Sequence, residues 1–198
     1  GLLHDVVEDT AITEYDIQKI FGDKVMLLVS GVTKLTQLKF TSKEEEQAEN
    51  YRRMFLSMAQ DYRVIIIKLA DRLHNLRTLN HLTVRKQREI AQETLDIYAP
   101  LAHRLGIYSL KWELEDLSFF YLHNESFLEI KEMVELNRKD REAYVAQRLK
   151  EIRHMMTRQS IGVEVSGRPK NLFSIYRKLL NKNMSFHELY DLLGIRII

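Results

Sequence analysis

The sequence predicts a protein that is all-α over about its first 158 residues and then opens an α/β unit. Three observations carry that expectation. Seven Gly and two Pro among 198 residues fall far below an average usage of roughly 12%, which excludes a turn-rich sandwich or barrel and favours long helices. Apolar positions recur at helical spacing with few interruptions as far as residue 158. Only after Ile161 does the period shorten toward two, in Val163-Glu164-Val165 and again over 190–198.

Residues 1–10 read as the end of a helix. Thr13 is the N-cap of a helix to Phe21 that Gly22 stops, and another helix runs from Asp23 to Lys34. Residues 35–42 read as a loop. Ser42 with Glu45 three residues on forms a capping box that opens a helix to Gln60. The most apolar helix spans 63–79 and a further one 83–98, with Pro100 breaking or kinking the chain just beyond it. Residues 107–122 and 126–158 continue in a helical, charge-laced pattern. Beyond them Val163-Glu164-Val165 reads as a strand, Gly167-Arg168-Pro169 as a turn, 171–181 as a helix and 190–198 as a strand. The chain starts without Met and stops in a strand-like run with nothing to pair with, so it reads as an internal piece of a longer protein.

Composition narrows the function classes. With 45% hydrophobic and 29% charged residues, the chain is globular rather than disordered. The absence of Cys excludes a disulfide scaffold and any thiolate zinc site, and fits a cytoplasmic protein. No apolar run reaches the roughly 18 to 20 residues of a membrane span. The net charge of +2 selects no partner, but its distribution does more. Residues 1–20 hold five acids against Lys19, and residues 165–187 hold five bases and no acid. An acidic end suits a cation and a basic end suits phosphates, while two solvated faces of opposite sign explain the charges equally well. Five cations without clustered aromatics do not support contact with nucleic acid or the ribosome.

Two constellations carry chemistry. The run His4-Asp5-Val6-Val7-Glu8-Asp9 puts metal-capable groups at i,i+4 if it is helical, His4 over Glu8 and Asp5 over Asp9. Imidazole with carboxylates suits Mn²⁺, Fe²⁺ or Zn²⁺. The apolar helix 63–79 carries a polar stripe, Lys68, Asp71, Asn75 and Thr78. That stripe faces a site or a partner, or else solvent with Asp71 paired to Arg72 or Lys68. At the other end Lys170, Ser174 and Lys178 fall at successive i,i+4 positions near a helix start. That stripe can hold phosphates through charge and unpaired N–H groups, or is simply an exposed basic helix. Asp191 opens the next strand-like run, a usual place for a Mg²⁺ carboxylate.

HDVVEDT at 4–10 with KLADRLHNLRTL at 68–79 resembles the HD-type hydrolase domain of the RelA/SpoT homologue family, the bifunctional enzymes of (p)ppGpp metabolism. The resemblance implies a Mn²⁺ held by two His and two Asp, of which His4, Asp5 and Asp71 match three and a His upstream of Gly1 is the fourth. It makes Glu8 and Asp9 the groups that position and deprotonate the attacking water, and Asn75 and Thr78 nucleotide contacts. GRPKNLFSIYRKL at 167–179 with DLLGIRII at 191–198 resembles the opening of the same family's synthetase domain, which is similar to nucleotidyltransferases. The resemblance there implies transfer of pyrophosphate from ATP to the 3′-hydroxyl of GDP or GTP. Arg168, Lys170, Ser174 and Lys178 match the ATP side and Asp191 matches a Mg²⁺ ligand. The rest of that site would lie beyond Ile198, so this stretch alone is not expected to synthesise.

The resemblance divides the chain into most of a hydrolase domain (1–100), a helical connector (101–158) and a truncated synthetase domain (159–198). In the connector, His103, Arg104 and Trp112 are expected to pack or pair. Two other readings stand beside this one: an HD phosphohydrolase acting on another nucleotide, and a non-catalytic nucleotide-binding module.

Overall fold

A computed structural model describes residues 1–36, 61–136, 138–182, 184–189 and 193–197. The predicted capping box at Ser42 and the helix to Gln60 lie outside the described residues, as does Asp191. The chain divides into two compact units, Gly1–Leu114 and Glu115–Ile198.

The first unit is helical. After turns over residues 2–5, α1 (Val6–Asp9) is a single turn, α2 runs Glu14–Phe21 and α3 runs Asp23–Thr36. Thr13 caps α2 as its sequence predicts: the Asp16 amide donates to the Thr13 hydroxyl at 3.3 Å and the Thr13 amide donates to the Asp16 carboxylate at 2.9 Å. Gly22 ends the helix at φ +81°, a backbone region that disfavours any Cβ. Helix α4 (Tyr62–Arg77) is capped by Asp61, which accepts the Arg63 amide at 2.9 Å. It buries Val64, Ile65, Leu69 and Leu76. Gly31 of α3 lets α4 come close, because a Cβ there would stand 2.7 Å from the Val64 Cγ2.

Beyond α4 come α5 (Val84–Glu93), a π-helical turn (Thr94–Tyr98) and α6 (Ala99–Arg104), with Pro100 in the first turn of α6. Proline cannot donate to the preceding turn and its ring crowds the carbonyl four residues back. The wide π turn directly before it absorbs that misfit, so the chain continues past Pro100 rather than ending there. Arg72 on α4 reaches this turn, its guanidinium 3.0 Å from Glu93 and 4.1 Å over the Tyr98 ring.

Helix α7 spans Tyr108–Leu122 and contains the division between the units. The second unit continues with α8 (Asn124–Leu136), α9 (Arg138–Arg158), β1 (Val165–Pro169), α10 (Leu172–Lys182) and β2 (Leu193–Ile197). Its core gathers Phe119, Ile130, Ile175, Phe186 and Leu189, with the Tyr176 ring stacked on Phe119 at 4.4 Å.

Three expectations are corrected. Residues 1–10 are not one helical end, because the first turns close through three-residue bonds such as His4 N–H to Gly1 O. Residues 167–169 are strand, not turn. The strand-like end, expected to lack a partner, pairs antiparallel with β1, Val165 opposite Ile197 and Pro169 opposite Leu193. Gly167 serves close packing there: a Cβ would stand 2.6 Å from Val145 Cγ1 of α9.

Candidate metal centre

His4 and Asp5, in the turn that leads into α1, meet Asp71 in the middle of α4. One ligand atom from each lies within 4.8 Å of the others. The His4 Nδ1 sits 2.7 Å from the Gly1 carbonyl oxygen, so the ring proton belongs on Nδ1 and the Nε2 lone pair points the other way. That Nε2 is 2.9 Å from an Asp5 carboxylate oxygen and 3.1 Å from Asp71 Oδ1. It is buried and aligned to hydrogen-bond with neither. Unprotonated, that nitrogen turns a lone pair toward two anions, an arrangement that a cation among them would relieve. A nitrogen and two carboxylate oxygens, with the histidine's other nitrogen fixed by a backbone carbonyl, fit a borderline divalent cation.

Asp71 is held from several sides. Its Oδ1 accepts from the Asn75 amide at 3.1 Å and its Oδ2 faces the Lys68 ammonium at 3.0 Å. Burial pushes its carboxyl up, the hydrogen bond and charge of the Lys68 ammonium pull it down, and the balance lies below the ordinary carboxylate range. The Lys68–Asp71 pair allowed by the plain reading of the stripe is therefore present. It coexists with the His4 approach rather than replacing it.

Glu8 and Asp9 stand further along α1, outside the three-residue cluster. They are not equivalent. Glu8 Oε1 is buried with no hydrogen-bond partner, whereas Asp9 is exposed. His4 precedes the helix, and the Glu8 amide bonds the Asp5 carbonyl at 3.0 Å. The Asp9 amide does bond the Asp5 carbonyl, at 2.9 Å. Thr78 closes α4, its hydroxyl donating to the carbonyls of His74 at 3.1 Å and Asn75 at 3.3 Å. Beside His4 opens a cavity of about 720 Å³ whose walls include Leu3, Phe21, Val25, Val29 and Ile67. Among the described residues that line it, His4 is the one with a polar side chain.

In the second unit Lys170 lies just before α10, and Ser174 and Lys178 lie on it. All three are partly buried. Arg168 sits in β1 opposite Gly194. Of the amides at the start of α10, expected to be open to phosphate, that of Phe173 is already engaged. Phe173 N–H donates to Asp116 Oδ1 at 2.9 Å, and the Asn171 side chain donates to Glu115 Oε2 at 2.8 Å. Burial pushes the Asp116 carboxyl up to about 6, against the Phe173 and Leu172 amides that pull it down. Sequence reasoning missed these two acids. Their one signal is a carboxylate pair in a stretch, Leu114 to Phe120, that is apolar but for Ser118.

A family model described as HD domain matches residues 1–108. Over its whole length the chain is 52% identical to a probable guanosine-3′,5′-bis(diphosphate) 3′-pyrophosphohydrolase of Synechocystis sp.. It is 48% identical to a GTP pyrophosphokinase of Myxococcus xanthus and 50% identical to the bifunctional (p)ppGpp synthase/hydrolase SpoT of Escherichia coli. It spans 26%, 27% and 28% of those three proteins, about a quarter of the length of each.

Proposed function

Since this chain belongs to the HD domain family, we propose that it removes the 3′-pyrophosphate of (p)ppGpp to give GDP or GTP, within a longer protein that also makes (p)ppGpp. One observation carries the hydrolase half: the buried Nε2 of His4, caught between two carboxylates without a hydrogen bond. The names of the relatives, hydrolase and pyrophosphokinase together, support the substrate class and the pairing of activities.

In this reading His4, Asp5 and Asp71 hold the cation, Mn²⁺ being the ion that the family resemblance favours. Bound there, it would lower the pKa of water and offset charge on a phosphate oxygen. The protein's own residues do the rest. The Gly1 carbonyl fixes the His4 ring, and Lys68 and Asn75 fix the Asp71 carboxylate. Glu8, with an unpaired buried oxygen, takes the proton of the attacking water, and Asp9 orients that water from the exposed side. Asn75 and Thr78 lie along the nucleotide. Water oxygen bonds to the phosphorus on the ribose 3′-oxygen, the bond from phosphorus to that oxygen breaks, and the 3′-oxygen regains a proton as pyrophosphate leaves.

Residues 1–100 form the hydrolase domain in this proposal, 101–158 the connector and 159–198 the start of the synthetase domain. There Arg168, Lys170, Ser174 and Lys178 take the ATP phosphates, with Asp191 on Mg²⁺ and GDP or GTP as acceptor. The Cys-free composition supports a cytoplasmic setting. Among the described residues no helix is long and apolar enough to cross a membrane.

The test is a substrate panel on the full-length protein that contains this chain. Pyrophosphate and GDP should appear from ppGpp, while dGTP and cyclic nucleotides remain intact. Turnover of dGTP or a cyclic nucleotide in preference to ppGpp would move the HD centre to another substrate. Binding of ppGpp without turnover, with Mn²⁺ present, would make it a non-catalytic module.

A further inference from the structure

Helix α10 does not cap itself. Asn171 occupies its N-cap position, but the Asn171 side-chain amide is turned away to Glu115 Oε2 at 2.8 Å. The Phe173 amide in the first turn goes to Asp116 Oδ1 at 2.9 Å. The cap therefore comes from Asp116 on α7, while its neighbour Glu115, 6% exposed, holds the Asn171 side chain; both lie more than fifty residues earlier in the chain. Capping by remote groups has a consequence that a local cap does not. It fixes where the helix begins and its rotation about its axis relative to α7, and so fixes which way the Lys170, Ser174 and Lys178 positions face. It also takes the Phe173 amide away from any anion at that helix start.

We infer that Asp116 and Glu115 are positioning residues for polyphosphate recognition: they aim the Lys170–Ser174–Lys178 stripe at the phosphate chain of a nucleoside triphosphate and leave its recognition to side chains instead of helix-end amides. The inference rests on the reading of that stripe as the ATP side of a synthetase site, and the experiment separates the two. The probe is inorganic triphosphate, its Kd measured by calorimetry on the full-length protein. K170Q and K178Q test the stripe, D116A and D116N test the cap, and N171A removes only the Glu115 tether.

The expected result is at least tenfold weaker binding for K178Q and for D116A. Affinity within threefold of the parent is expected for D116N, which keeps an acceptor oxygen for the Phe173 amide. A general loss of packing would not be rescued in that way. Unchanged affinity in both lysine variants overturns the stripe. Weaker binding in the lysine variants with D116A at the parent Kd overturns the positioning role alone. D116N as weak as D116A also overturns it, since an acceptor would then not suffice. Should D116A fail to fold, N171A decides: a threefold or greater loss supports the tether and an unchanged Kd refutes it.

Discussion

The two candidate sites treat buried polar atoms in opposite ways. At the His4–Asp5–Asp71 cluster, His4 Nε2 and the neighbouring Glu8 Oε1 are buried and unsatisfied. At the start of α10, the Phe173 amide and the Asn171 side chain are both satisfied by the chain's own carboxylates. An unprotonated nitrogen between two anions costs free energy unless a cation joins them, so the first site fits the proposed ion. The helix start is satisfied and works as scaffold, which suits the proposed recognition through the side chains of the second site. On the proposed reading, the difference separates a place where chemistry is done from a place where a surface is aimed.

The contrast breaks most visibly at His4. Replacing His4 with Ala should weaken Mn²⁺ binding by at least about a hundredfold, the upper end of what even a supporting residue around a ligand costs. Titration followed by electron paramagnetic resonance reads this directly, and near-parent affinity would show that the unmet nitrogen serves no ion.

The next effect belongs to Asp116. Its carboxyl is raised from 3.8 to about 6 in the folded chain, so the folded state binds that proton more tightly than the unfolded state does. The stability it contributes is full below pH 3.8 and is lost as pH rises through about 6. The change is on the order of 3 kcal/mol, and the curve is flat above that window. Denaturation of D116N across pH 3.5–7 should lack this decline, and an identical slope in parent and variant would refute the assignment.

Smaller effects sharpen the scaffold side. Gly31→Ala drives a methyl into Val64, a stiff β-branched neighbour. It should cost about 1–3 kcal/mol and lower the melting temperature, and an unchanged Tm would mean that α3 and α4 can separate freely. Thr13→Ala removes the α2 cap and should cost about 1 kcal/mol by denaturant titration.

How far a feature is legible in the sequence depends on the range of the interaction behind it. Helix α2 was legible because Thr13, Asp16 and Gly22 act within a few residues. The polar stripe on α4 was legible because Lys68, Asp71 and Asn75 share one helical face. Adjacent His and Asp pointed to the first half of the metal cluster, but its second half, Asp71 on α4, came from the family resemblance and not from spacing. Gly167 and Pro169 misled because glycine and proline punctuate turns when read locally. The partner that makes them a strand lies at 193–197. The tethering and capping roles of Glu115 and Asp116 are not legible for the same reason, since their partners are 56 and 57 residues away.

The measurement that tests the central claim most directly is hydrolysis and synthesis of ppGpp by one full-length preparation carrying Asp71→Asn, beside the parent with Mn²⁺ and with EDTA. The parent should release pyrophosphate only with Mn²⁺, and the variant should lose that release while still transferring pyrophosphate from ATP to GDP. Release that survives EDTA or the loss of Asp71 would contradict the metal centre. Loss of synthesis together with hydrolysis would contradict the division between the two sites.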